Sequence, residues 1–290
     1  MKDIFLILIL CVLATSKVTL QGQFAKKAEN TFYNAICFNT IIFVTAALLF
    51  VKWIVGSHML TAVFGAIFGL LTVLFQAFYI MAMSNGNVSL TVMIVNFSMI
   101  IPIAFSLIFY NERMSGFQII GILLVIIALL LSLEKGGKKY KSFKKWLFLA
   151  VCASLTNGCL AVCQKIFASG EYSVENKGFV AWAYVTAFII SVLVCIFLKF
   201  HKSRKENSLL KITPQIAALG ISAGAVLAVF QWLNTYAVSV IDSAILFPSY
   251  NGGTMVLSAL SGVLLLRDKL TKKQICSVVS GAAAVIILTL

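Results

Sequence analysis

Ten runs of apolar residues, each close to the length that crosses a membrane, leave this chain almost nothing from which to build a water-facing surface. A hydrocarbon layer about 30 Å thick is spanned by roughly 20 apolar residues in a helix. Runs of that kind occupy 3–23, 32–53, 59–84, 87–110, 116–133, 145–168, 178–199, 214–239, 242–266 and 273–290. Of the 290 residues, 61% are hydrophobic and 11% charged, whereas a soluble domain is about half apolar and a quarter charged. The expected fold class is therefore an all-α integral membrane protein with ten transmembrane helices. The net charge of +14 does not point to nucleic acid, because the bases stand between apolar runs rather than along a face or a tail. Basic loops at a membrane surface account for them. The seven cysteines all fall inside apolar runs without zinc-ligand spacing. They read as packing residues, and no disulfide framework, metal or other cofactor is expected.

The chain is written twice. Shifted by 155 positions, Gly65, Gly69, Gln76, Ala82, Ser84, Asn96 and Ser106 fall on Gly220, Gly224, Gln231, Ala237, Ser239, Asn251 and Ser261. After a one-residue slip, Glu112, Arg113, Met114, Ser115 and Gln118 fall on Asp268, Lys269, Leu270, Thr271 and Gln274. Chance similarity between greasy segments would match Leu and Val, not a spaced set of Gly, Gln and Asn. The first segment has the look of a cleavable leader, with Lys2 ahead of an apolar stretch and Ala14 at a cleavage edge. Its "QGQFA" at 21–25 recurs as "QKIFA" at 164–168, which assigns it to the repeated body. The expected organisation is a five-helix repeat over 1–134, a basic linker over 135–144 and a second five-helix repeat over 145–290. Five spans is an odd number, so the two repeats enter the membrane from opposite sides, as inverted repeats do.

Five plus five spans, with an acid–base–apolar–hydroxyl turn before the last helix of each half, resemble the drug/metabolite transporter superfamily in its EamA-like branch. The resemblance covers essentially the whole chain and implies secondary transport of amino acids, other metabolites or drugs through a cavity between the halves. Relatives usually carry a proline in the fourth and ninth helices. Here Pro102 and Pro248 are present at unmatched positions of the repeat, so the kinks of the two halves are expected to differ. The turn residues Glu112–Arg113 and Asp268–Lys269 have two readings, a salt-bridged gate or a plain interfacial turn, and the turn is preferred.

Several polar residues fall within the spans. Lys17 stands inside the first, where a central lysine costs about 2.5–3.5 kcal/mol on insertion scales. It either attracts an anionic substrate group or snorkels to the headgroups. Lys165, nearer a helix end, is expected to snorkel. Gln76 with Tyr79, and Gln231 with Asn234, stand three residues apart on one face in matching helices, and Asn96 and Asn251 also match. Buried amides must bond across helices or face a wet cavity. The symmetric placement favours the cavity, making these residues, with Tyr250, Asn157 and Gln164, the candidate substrate-binding set. Trp182 and Tyr184 read as interfacial anchors, and the Gly65/Gly69 and Gly220/Gly224 steps as close helix packing.

Three functions compete. The first is secondary transport of a small zwitterionic or anionic metabolite, an amino acid among the options, by alternating access. The second is proton-coupled export of cationic drugs. The related small multidrug resistance proteins use a glutamate in their first helix for this, where the present chain has Thr15, Ser16 and Lys17. The third is an intramembrane lipid-modifying enzyme, which needs acids, bases or nucleophiles grouped at one depth. His58 and His201 are far apart in sequence without an acid cluster, so no catalytic residue is assigned. The expected partners are the bilayer and a small-molecule substrate, with a homodimer left open; the expected location is a bacterial cytoplasmic (inner) membrane. Seventeen of the 23 Lys and Arg residues gather at the connections on one side, against four on the other. The positive-inside rule then puts both termini outside, although EamA-like proteins are usually drawn with cytoplasmic termini. A reporter active only in the cytoplasm, fused after Leu290, is expected to stay silent; strong activity would reverse this orientation.

Overall fold

The computed structural model describes residues 2–27, 32–85, 91, 94–131, 143–201, 213–266 and 272–288. Among the described residues there are ten α-helices and no strand: α1 (Lys2–Lys27), α2 (Phe32–Phe50), α3 (Met59–Asn85), α4 (Ile100–Phe109), α5 (Gly116–Leu131), α6 (Phe143–Ala168), α7 (Asn176–His201), α8 (Pro214–Val240), α9 (Ser243–Leu266) and α10 (Lys272–Leu288). Each falls on one of the ten predicted spans. The helices α1, α2, α3, α6, α7 and α8 are long and apolar enough to cross a membrane, while α4, α5 and α10 carry shorter apolar stretches. Large apolar side chains such as Phe5, Leu48, Phe148, Leu193, Val279 and Ile286 are exposed on the outside, an arrangement that only lipid makes favourable. The chain is a multi-pass membrane protein.

The fourth span departs from a plain helix. A 3₁₀ turn over Phe97–Met99 leads into α4, just before Pro102. Proline has no N–H to return to the carbonyl four residues earlier, and its ring crowds that carbonyl. A tighter turn placed there absorbs the mismatch. Pro248 instead lies inside the continuous helix α9. The unmatched prolines therefore sit in differently built segments, one after a 3₁₀ turn and one within an unbroken helix.

The halves interleave. α3 packs on α6 and α7, α8 packs on α1 and α2, α2 packs on α7, and α5 on α10. Every one of these pairs joins opposite repeats. Helices gain no hydrophobic drive from meeting each other in lipid, so close backbone approach at small residues supplies the attraction. The repeated glycines provide it symmetrically. A Cβ at Gly65 would fall 2.5 Å from the Trp182 Cβ, and one at Gly69 would strike the Ala183 carbonyl oxygen. In the other half, a Cβ at Gly224 would fall 2.6 Å from the Ile42 oxygen, and one at Gly220 would fall 2.7 Å from Ile41. Each third helix of a repeat thus presses its glycine face onto the second helix of the other. The first half of α7 fills the centre, with Phe179, Val180, Ala181, Ala183, Tyr184 and Ala187 all buried.

Tyr184 is only 1% exposed and faces Phe43 at 6.0 Å between ring centroids, so it is a core residue, not the interfacial anchor its sequence position suggested. Trp182 donates its indole N–H to Ser57 Oγ at 3.0 Å. All seven cysteines are free thiols, and the sulfurs of Cys37 and Cys195 lie 3.4 Å apart across the α2–α7 seam. The turn residues Asp268, Lys269 and Thr271 lie outside the described residues.

Gly69→Ala is expected to cost about 1–3 kcal/mol through overpacking against the Ala183 backbone, read as a lower melting temperature of the purified protein. Gly116→Ala, with nothing within 4 Å of the new methyl, is the control and is expected to melt as the parent does.

Candidate functional site

The first copy of the repeated motif is a helix start. Ser115 N–H donates to Gln118 Oε1 at 2.9 Å, and Gln118 N–H donates to Ser115 Oγ at 3.2 Å. This reciprocal pair satisfies two of the donors that an α-helix leaves free at its N-terminus. Before it, α4 ends with Asn111 at φ 52°, a left-handed position that asparagine tolerates. The turn closes as the N–H groups of Tyr110 and Glu112 both return to the Ser106 carbonyl. That geometry swings Glu112 back over the end of the bundle.

There Glu112 meets the second repeat. Its Oε1 lies 2.7 Å from Lys165 Nζ, with both side chains only 8% exposed. Its Oε2 accepts the N–H of Ser243 at 2.9 Å, so the same carboxylate serves the first turn of α9, where a helix dipole favours negative charge. Lys165 also donates to the Val238 carbonyl at 3.4 Å, and its ammonium sits 5.5 Å from the centre of the Tyr110 ring. Below the pair, Ser106 and Ser243 share a hydrogen bond of 2.7 Å. Two expectations fail here. Lys165 is not snorkelling, because an acid from the other half reaches it. Glu112 is more than a turn residue, and its partner is Lys165 rather than the neighbouring Arg113.

A second carboxylate does similar work at the same end. Glu175, in the 3₁₀ turn Glu171–Glu175 before α7, accepts the backbone N–H of His58 at 2.8 Å and the Thr61 hydroxyl. It thereby caps α3 from the opposite repeat. Tyr172 stacks on His58 at 4.1 Å between centroids.

The predicted polar residues divide into two groups. Gln164, Asn234 and Asn157 are engaged between helices. Gln164 Nε2 donates to Thr235 Oγ1 at 2.8 Å, and Asn234 Nδ2 donates to Gln164 Oε1 at 3.1 Å. Asn157 Nδ2 donates to Ser98 Oγ at 2.6 Å, tying α6 to the 3₁₀ turn. In the second group, Lys17, Gln76, Asn96 and Asn251 are half-buried and make no hydrogen bond or ion pair among the described residues. Lys17 shares a helix face with Leu10, Ala14, Gln21 and Phe24, three of which are buried. That face looks into the protein and not into lipid. Gln231 is 5% exposed, and its Nε2 has no partner. Tyr79 stacks on Phe75, and Tyr250 lies 5.7 Å from Phe230. Tyr250 also offers its backbone oxygen to the Cys11 thiol, which joins α1 to α9.

A cavity of about 710 Å³ lies between α3, α4 and α6, lined by apolar side chains including Phe64, Ile67, Phe105, Cys159 and Ile166. None of the predicted polar residues borders it, so it does not carry the site. The partnership of Glu112 and Lys165 escaped the sequence reading. Its signal was present as two charges at helix ends in opposite halves, without anything to show that they meet.

The model of the EamA-like transporter family matches residues 2–133 and 144–290, one copy on each repeat. No curated protein matches the chain. Among solved structures, one titled only "Crystal structure of protein" superposes with a TM-score of 0.75 at 14% identity, covering 99% of this chain and 97% of the other. At that identity the likeness speaks for the fold alone.

A buried amide donor without a partner costs about 1–3 kcal/mol. Gln231→Leu, close in volume, is therefore expected to melt no lower than the parent in the absence of substrate. A clear drop in melting temperature would mean that Gln231 is held by a structural bond.

Proposed function

The chain belongs to the EamA-like transporter family, within the drug/metabolite transporter superfamily, and from that premise we propose the class of its cargo. It moves a small organic metabolite that carries a carboxylate, zwitterionic or anionic and of amino-acid size, across a bacterial cytoplasmic membrane by alternating access. The observation that carries this reading is Lys17. It lies near the middle of α1, on the inward face of the helix, with no acid paired to it among the described residues. An ammonium group held at such depth is costly unless water or a counter-ion reaches it. A substrate carboxylate supplies the missing charge and gains a charge-assisted hydrogen bond, about twice as strong as a neutral one.

The rest of the binding set follows from the groups left unpaired. Gln231 offers a free amide donor on α8, a helix that packs on α1. Gln76, Asn96 and Asn251 supply further amides on α3, ahead of α4 and on α9, and Tyr79 and Tyr250 supply aromatic surface. Gln164, Asn234 and Asn157 hold helices together.

The competing reading, proton-coupled export of cations, needs a carboxylate free to trade a proton for a cation. Glu112, buried at the end of the bundle, is already neutralised by Lys165, which supports the carboxylate reading over this one.

In proteoliposomes, Lys17→Met is expected to lower uptake of a carboxylate-bearing metabolite at least tenfold while the protein still folds and inserts. Unchanged uptake of every carboxylate-bearing compound in a metabolite panel would remove Lys17 from the site. Resistance of expressing cells to quaternary amines would favour the cation exporter instead.

A further inference from the structure

We infer that the Glu112–Lys165 ion pair is a one-sided latch that closes the bundle at the α4–α5, α6 and α8–α9 end, with no matching ion pair at the other end among the described residues. The inference rests on the alternating-access reading above and adds to it which end the protein keeps shut when empty.

Two observations carry it. The first is geometric. The pair crosses the repeats, since Glu112 and Ser106 belong to the first half and Lys165, Val238 and Ser243 to the second. It ties together the elements that must separate for that end to open. Gln164, Thr235 and Asn234 extend the same seam one turn deeper, joining α6 to α8. A desolvated pair with satisfied hydrogen bonds resists separation, because pulling it apart leaves a buried charge uncompensated until water enters.

The second observation is the repeat. Aligning "QGQFA" with "QKIFA" puts Gly22 where the second half has Lys165. In the 155-residue register, Tyr79 and Ile80 stand for Asn234 and Thr235. The opposite end therefore keeps the glutamine, as Gln21, but lacks the lysine amine, the asparagine amide and the threonine hydroxyl that complete this seam. In keeping with this, α6 and α8 are packed together, while α1 and α3, their counterparts, scarcely touch among the described residues. By the charge count, the unlatched end faces the cytoplasm. Empty protein thus rests with its outer end shut and its basic end the one free to open.

Hydrogen–deuterium exchange of the full-length protein in lipid nanodiscs reads both ends without any substrate. A failure here is therefore separate from a failure of the carboxylate reading, which uptake measures. In the parent protein, amides of 106–115 and 238–245 are expected to exchange at least tenfold more slowly than those of 19–27 and 79–85; the reverse order overturns the latch. Lys165→Met and Glu112→Gln are each expected to speed exchange at 106–115 and 238–245 and to slow it at 19–27 and 79–85. That opposite response is the signature of a shifted open–closed equilibrium. Faster exchange at both ends would show a merely structural pair, and no change at either end would show an idle one; both overturn the proposal. The ordering in the parent protein stands as a test even where a variant does not fold.

Discussion

Close approach of helix backbones at four glycines is the contact on which the rest of the molecule depends. In hydrocarbon the backbone can satisfy its own hydrogen bonds only by staying helical, and apolar side chains prefer neighbouring helices no more than they prefer lipid tails. What remains is dispersion, steep in distance and lost over a gap of an ångström. Gly65 and Gly69 bring α3 onto α7, and Gly220 and Gly224 bring α8 onto α2. Because each contact joins one repeat to the other, the main buried core among the described residues, around Tyr184 and Phe43, is made of both halves.

That interleaving decides where polar chemistry can stand. Backbones pressed together at glycine leave no room for water, so polar groups are displaced to mid-depth positions away from the glycine seams and to the helix ends. At one end, Glu112 and Glu175 each accept backbone N–H groups at the start of a helix from the other repeat, α9 for Glu112 and α3 for Glu175. The acids are thus used as caps between halves, where both the free N–H groups and the helix dipole favour them.

Much of this was legible in the sequence, for identifiable reasons. Spans, repeat and glycine steps are periodic features, and periodicity survives without coordinates: all ten runs became helices and the paired glycines became contacts. The capping pair Ser115–Gln118 was visible as a repeated spacing, although its meaning as a helix start required the hydrogen bonds. Pro102 announced a bend but not its form. Lys165 and Tyr184 were misread for one shared reason. Depth along a helix was inferred from distance to its end, whereas exposure depends on what another segment places opposite. No local pattern connects Lys165 to Glu112, 53 residues earlier, or Gln164 to Asn234, 70 residues later. The standing of the candidate site follows the same rule. The sequence could nominate the amides, but only contacts could show that Gln164, Asn234 and Asn157 are occupied while Gln231 keeps a free donor.

The two lysines within the spans sharpen the functional argument, because they share a residue type and differ only in company. Lys165 has a carboxylate at 2.7 Å, a carbonyl and an aromatic ring around it. Its charge is spent inside the protein, so it can fix a conformation but attract nothing from outside. Lys17 has no such company among the described residues and shares the inward face of its helix with Leu10, Ala14 and Phe24. Leucine on that face would meet a purely structural role more cheaply. An ammonium left without a partner is favourable only if an anion or water visits it, and a protein that binds and releases small molecules provides such visits. The two lysines thus differ in what they leave available: Lys165 is neutralised within the protein, while Lys17 keeps the free charge on which the proposed carboxylate site rests.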